Sequence, residues 1–496
     1  MAIVESSEHL DPTSELSLEL VKHRAVKGVL FLTFRTFILQ VVALVATFLL
    51  TVFLEPREYG VFFLVSAVIN LFAYFSDIGL AAALVQKREA VTEEDLRTTF
   101  TVQQILVLGL LIVIFAATPF LRKWYGFETN SIFLFWALAL SLLFSSLKTI
   151  PSVLLERRLD FNRLIVPQIV ETLLFNAVAV FLAWRGFGIT SFTIAVLVRG
   201  LSGLIIIYFL EPWMPAFAFS RKSLRRLLRF GLPYQVNTFL AVVKDDGLTA
   251  VLGAILGASG IGLLGWAQKW GFAPLRFFMD QVIKVTFPAF SRMQEDREEL
   301  SKAVSRSIFF VCLLVFPSLV GLILVAPILV EIIPKYDKWQ PALLALGFYG
   351  INAAWAAVTT PLTNLLNAVG KIGVTFKLMI MWTAISWLLV PGMAILAGVN
   401  GAAAGAAVVG TTSVVAILVV RQHIVFDLAG STGKPLLAAF LMGSVLLFLR
   451  TFMPASFASV VLLIAIGTAV YAIATYLLSP GIVSESRKII HALRNK

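Results

Sequence analysis

The chain is short of charge, and shortest of acids. Only 14% of its 496 residues are Asp, Glu, Lys or Arg, with 28 acids against 40 bases. Its one cysteine, Cys312, excludes an internal disulfide and any cysteine-based metal site. Four histidines, His9, His23, His423 and His491, fall far apart in polar segments, which argues against a histidine catalyst or metal centre. No polar stretch is long enough for an extramembrane domain, so a membrane enzyme with a soluble catalytic loop fits poorly. What fills the chain instead is apolar: 59% hydrophobic residues and a mean hydropathy of +0.92. A soluble protein of this size could not hide that surface, so an all-α polytopic membrane protein is expected. The net charge of +12 could suggest nucleic acid, but the bases sit between apolar runs, where topology explains them and no nucleic-acid partner is expected. A polar tail precedes the first apolar run, which would itself act as the insertion signal; no cleavable signal peptide is visible.

Fourteen apolar stretches read as transmembrane spans: 28–54, 60–86, 98–121, 131–155, 164–184, 188–210, 231–257, 261–288, 307–333, 342–368, 374–397, 400–420, 435–452 and 457–479. They divide the chain into a polar tail (1–27), an N-lobe of six spans (28–218), a basic amphipathic linker helix (219–230), a C-lobe of six spans (231–420), two further spans (435–479) and a second tail (480–496). With both ends inside, the inner segments hold about 26 Lys and Arg against about seven outside, the bias that the positive-inside rule requires. Both termini are therefore expected in the cytoplasm. The linker, with Arg221, Lys222, Arg225, Arg226 and Arg229, either sets topology or meets anionic lipid at the inner interface.

The two lobes echo each other. Glu93-Glu94-Asp95 and Glu295-Asp296-Arg297 follow the second and eighth spans, Pro151 and Pro361 end the fourth and tenth, and Gly186 and Gly398 precede the sixth and twelfth. Six spans per repeat is an even number, so both repeats keep one orientation, as in transporters built from parallel repeats.

Charge inside the spans is the main functional signal. In the eighth, Lys269, Arg276, Asp280 and Lys284 share one helical face, a ladder roughly 22 Å long. A base at mid-bilayer costs roughly 2.5–3.5 kcal/mol, so such a face should look into protein or water, although Lys269 and Lys284 could also snorkel to the interfaces. Ser66, Asn70, Tyr74 and Asp77 share a face of the second span. Arg35, Lys148, Glu171, Arg199 and the run Lys244-Asp245-Asp246 lie in the first, fourth, fifth, sixth and seventh. Local ion pairing between helices is one reading of this set. The other is a water-filled, net-cationic cavity for an anion, with phosphate or pyrophosphate prominent. Candidate substrate contacts are Arg35, Asn70, Tyr74, Asp77, Lys148, Arg199, Lys244, Lys269 and Arg276; Asp77, Glu171, Asp245, Asp246 and Asp280 are candidates for coupling Na+ or H+. No other cofactor is expected. Gly430-Ser-Thr-Gly433-Lys434-Pro435 glances toward a phosphate loop, but Leu428 replaces the first glycine and Pro435 the hydroxyl residue, so no nucleotide site is read there.

Leu54-Glu-Pro56-Arg-Glu58-Tyr59-Gly60, Phe75-Ser-Asp77-Ile-Gly79-Leu80, Val91-Thr92-Glu93-Glu94-Asp95-Leu96 and Pro151-Ser-Val-Leu-Leu-Glu-Arg157-Arg158-Leu159-Asp160-Phe161 resemble the polysaccharide transporter family of flippases. That family lies within the multidrug/oligosaccharidyl-lipid/polysaccharide exporter superfamily, and within it the chain resembles the colanic acid and teichuronic acid exporters. The resemblance implies two six-helix lobes in a V, a central cationic cavity and an undecaprenyl-pyrophosphate-linked oligosaccharide moved by alternating access. Its lipid tail would stay in the bilayer of the bacterial inner membrane. Membrane lipids and glycan polymerase or export machinery are the implied partners, and no enzymatic step is implied. The alternatives are a cation-coupled multidrug antiporter of the same superfamily and, more remotely, a membrane glycan polymerase or ligase. The topology has a direct test: cysteines replacing Ser6 and Ser484 should be shielded from an impermeant thiol reagent in intact cells, while one replacing Lys338 should label. The opposite pattern inverts the orientation.

Overall fold

Hydrocarbon offers the backbone no hydrogen-bond partner, so an apolar chain of this length is driven into helices. The computed structural model describes residues 38–479, and every regular element among them is helical. The two polar tails and Arg35 lie outside the described residues.

Ten helical stretches are long and apolar enough to cross a membrane. Two of these, residues 239–292 and 372–421, are 54 and 50 residues long, about twice what a bilayer needs. Each is broken where a second span begins: α9 (Leu248–Arg292) at Gly257, and α12 (Ile372–Thr411) at Ala397 and Gly398. In α12 the two halves pack on each other, since a Cβ at Gly405 would stand 3.1 Å from Val390 Cα. The second apolar stretch fails as a continuous span. It forms α2 (Pro56–Ala73), a run of turns, and then α3 (Leu80–Gln86). With α1 (Ile38–Phe53), the fourteen expected spans are accounted for, one of them interrupted. Pro151 and Pro361 do not end their helices: α5 (Thr129–Arg157) and α11 (Leu343–Ala368) both run past them.

Helix α4 (Glu93–Tyr125) shows how the sequence becomes a packed span. Thr92 caps it, accepting from Asp95 N at 3.3 Å while the Asp95 carboxylate accepts from Thr92 N at 3.2 Å. Phe100, Gln103, Gln104, Val107, Leu111 and Ile114 recur at three- and four-residue steps and are buried. Ile105, Leu108, Ile112 and Phe115, between them, are exposed, as a lipid-facing stripe must be.

The chain separates into two compact units, one ending at Ala250 and the other beginning at Val251. The first comprises α1–α5, α6 (Phe161–Trp184), α7 (Thr190–Leu210) and α8 (Arg221–Val242). The basic linker is not a separate helix; it is the first half of α8, whose Leu224, Leu227 and Leu228 pack on Leu80, Leu84, Leu96 and Phe100. The unit boundary falls inside the seventh apolar stretch and not at the linker. In the second unit the far half of α9, α10 (Arg297–Ile332), α11, α12 and α13 (Val414–Arg421) share a core with Phe290, Val304, Val311, Val315, Ala357, Leu362 and Ile417. Helices α14 (Lys434–Arg450) and α15 (Phe457–Leu478) pack on α10 through Met442, Leu446, Leu463 and Val325.

The α2–α3 break is held by a crossing of two backbones. Gly79 has φ +79°, and a Cβ on it would overlap the Gly231 carbonyl; a Cβ on Gly231 would stand 2.7 Å from the Gly79 oxygen. No side chain fits at either position. Gly79→Ala adds a left-handed backbone penalty to that overlap and should cost roughly 2–4 kcal/mol, while Gly231→Ala carries the overlap alone. The unfolding midpoint of the purified protein should fall for both and stay put for Gly321→Ala, where a Cβ meets nothing within 4 Å.

Candidate functional site

The interrupted span places Asp77 in the turn between α2 and α3, not on a helical face with Asn70 and Tyr74. Its carboxylate accepts from Ala81 N at 3.2 and 3.3 Å, capping α3, and from Gln103 Nε2 at 3.3 Å. Gln103 also donates to Thr149 Oγ1 at 3.0 Å. The Asp-x-Gly pattern therefore has a local cause: Asp77 caps the short helix and Gly79 lets α8 pass.

Beside Asp77 lies a cavity of about 740 Å³ within the first unit, walled by α3, α5 and α6 with Ile207 of α7 and Phe230 of α8. Lys148 and Glu171 sit in its wall. Lys148 Nζ is ion-paired to Glu171, and Arg199 Nε stands 3.8 Å from the other carboxylate oxygen. Arg199 also lies over the Phe175 ring at 5.9 Å. Gly203 leaves room for the Glu171 carboxylate, which would collide with any side chain there.

A second cluster forms where α8 gives way to a wider helical turn at Val243–Gly247. Asn70 donates to Asp246 Oδ1 at 3.1 Å, and Lys244 pairs with its neighbour Asp245 at 3.1 Å. Tyr74 donates to the Gln235 carbonyl, and Gln235 Nε2 returns a bond to the Tyr74 carbonyl at 2.6 Å. The widened turn and the α2–α3 break are thus tied together by two residues of one helix end.

The eighth-span ladder lies in the second unit. Leu275 and Met279 point into its core, whereas Lys269, Arg276, Asp280 and Lys284 are exposed, so the four charges do share the unpacked side of α9. Lys269, Arg276 and Lys284 form no ion pair among the described residues. Of the six bases read as substrate contacts, Lys148, Arg199 and Lys244 are thus committed to acids of their own unit, Lys269 and Arg276 are not, and Arg35 lies outside the described residues.

Asp95, in sequence a landmark of the repeat and of the family motif, is also a hub of side-chain contacts. Its side chain is wholly buried and accepts from Lys87 Nζ at 2.6 Å, Arg226 Nη2 at 2.8 Å and the Ser223 hydroxyl. Arg157 beside it donates to the carbonyls of Leu84 and Lys87, both at 2.8 Å, closing the end of α3. The capping box was legible in Thr92-Glu-Glu-Asp95; the reach to Ser223 and Arg226 was not. No group of three or more His, Cys, Asp or Glu suited to a metal ion occurs among the described residues.

Interrupted, bent and charge-bearing spans are features of membrane transporters, whose irregular backbone lines protein or water rather than lipid. The matched sequence narrows this class. Residues 49–343 match the family described as polysaccharide biosynthesis protein, and the chain belongs to that family. It is 25% identical over 428 residues to the succinoglycan biosynthesis transport protein ExoT of Rhizobium meliloti strain 1021, covering 84% of this chain and 85% of that one. It is 24% identical over 395 residues to the lipopolysaccharide biosynthesis protein WzxC of Escherichia coli K12, covering 78% of each. The lipid II flippase MurJ, solved in an inward closed conformation, has the same fold, with a TM-score of 0.76 at 16% identity over 92% of this chain and all of that one. The resemblance read from the motifs therefore holds, as does the polytopic all-α fold.

The Glu171 pair yields a stability test. Glu171→Gln leaves the half-buried Lys148 without its acid and should lower the unfolding midpoint more than the double variant Lys148→Gln with Glu171→Gln, in which no lone charge remains on that pair. Equal losses would show that the pair adds nothing to the fold.

Proposed function

We propose that this protein is a flippase that carries an anionic, lipid-linked oligosaccharide across the bacterial inner membrane without chemical change. The observation that carries this reading is the exposed face of α9, where Lys269, Arg276 and Lys284 stand without acid partners among the described residues. Bare cations along an apolar helix are costly in lipid and become useful where an anion passes. Phosphate and pyrophosphate suit them, since Arg offers a fork of donors and Lys a point charge. The names of ExoT and WzxC support a glycan-biosynthesis cargo, and the MurJ fold supports a lipid-linked one. An undecaprenyl-pyrophosphate carrier joins both in one molecule. In alternating access the substrate site opens first to the cytoplasm and then to the far side, with both termini cytoplasmic. Acids among Asp77, Glu171, Asp245, Asp246 and Asp280 would take a coupling Na+ or H+, and glycan polymerase or export machinery would receive the product.

Arg276 decides the reading. Export should persist in part in Arg276→Lys and be lost in Arg276→Gln, at matched protein abundance. Arg276 forms no ion pair with Asp280 in the structure, so adding Asp280→Asn to Arg276→Gln should not restore export. Recovery in the double variant would make Arg276 a structural partner of Asp280 and remove it from the substrate path.

A further inference from the structure

The cavity of the first unit has polar groups of two kinds. Three of its charged groups are already matched, since Lys148 holds Glu171 and Asp77 caps α3 while accepting from Gln103, and Thr149 accepts from the same Gln103. The rest are not. The side chains of Gln86, Ser145, Ser152, Glu156 and Gln168 line the same space and form no hydrogen bond or ion pair with any described residue. They come from three helices, α3, α5 and α6, and converge on one volume with Phe230 at its wall. About 740 Å³ falls within the roughly 300–1,000 Å³ typical of small-molecule pockets.

That inventory selects a ligand. An anion would need an uncommitted base, and Lys148, the one base lining the cavity among the described residues, is paired. Amides and hydroxyls that both donate and accept, beside one unpaired carboxylate that accepts twice, match the paired hydroxyls of a sugar ring. We infer that this cavity is a glycan subsite, in which Glu156, Gln86, Gln168, Ser145 and Ser152 hold a sugar unit of the cargo by its hydroxyls. The inference rests on the flippase reading and deepens it.

Thiol protection tests this. Cys312 is the one native cysteine and is buried, so Ser152→Cys gives a single reactive thiol inside the cavity. Lipid-linked oligosaccharide extracted from the host membrane should slow its alkylation at least about fivefold, whereas undecaprenyl pyrophosphate without sugar should leave the rate unchanged. Adding Glu156→Gln should raise the concentration of lipid-linked oligosaccharide needed for half-protection roughly tenfold, as loss of a hydrogen bond to a charged group does. Equal protection by the two lipids, protection by neither, or protection by NaCl alone would overturn the subsite. Deleting the chain separates the two readings. Export that survives the deletion defeats the flippase, while export lost on deletion with no sugar-specific protection defeats only the subsite.

Discussion

Every feature of this protein answers to one constraint: hydrocarbon satisfies neither backbone hydrogen bonds nor charges. Uninterrupted helices meet the first demand, and most of the chain obeys. The exceptions are therefore informative. The α2–α3 break, the widened turn at Val243–Gly247 and the kinks at Gly257 and Ala397–Gly398 each free backbone groups that lipid would leave bare. At the α2–α3 break the remedy is visible, with Asp77 capping α3 and Gln235 reaching the Tyr74 carbonyl.

Charges divide along the same line. Within the first unit, Lys148, Arg199 and Lys244 each lie against an acid, and Asp95 gathers Lys87, Arg226 and Ser223 at one helix start. Such groups are expensive to bury alone and hold their elements in register when paired. On α9, Lys269, Arg276 and Lys284 have no acid partner among the described residues, and that difference separates a structural charge from a candidate for substrate. The tally of bases and acids along the chain does not draw this distinction; only their neighbours do.

Asp95 links motif to architecture. Residues 92–95 cap α4, and the same carboxylate clamps the start of α8, so one acid joins a local helix signal to a contact across 131 residues. With the Gly79–Gly231 crossing, it sets α8 against α3 and α4 and so closes the wall of the cavity at Phe230. The motifs that mark the family at residues 75–80 and 91–96 are accordingly motifs of assembly. They position the site without supplying its bases.

What the sequence by itself determined is the class of molecule: fourteen apolar stretches and motifs sufficient to identify the family. These are signals carried by each segment alone, because hydrophobicity, capping and spacing act over a few turns. It also placed the α9 charges on one face, since helical periodicity needs no tertiary information. Tertiary structure decided the rest. A continuous apolar run gave no sign that 60–86 would break at Tyr74–Gly79, because the break depends on Gly231 passing through it. Which bases are paired, and that Gln86, Ser152, Glu156 and Gln168 converge on one cavity, likewise follow from helices far apart in the chain. Pairing and enclosure are properties of packed neighbours, and no single segment carries them.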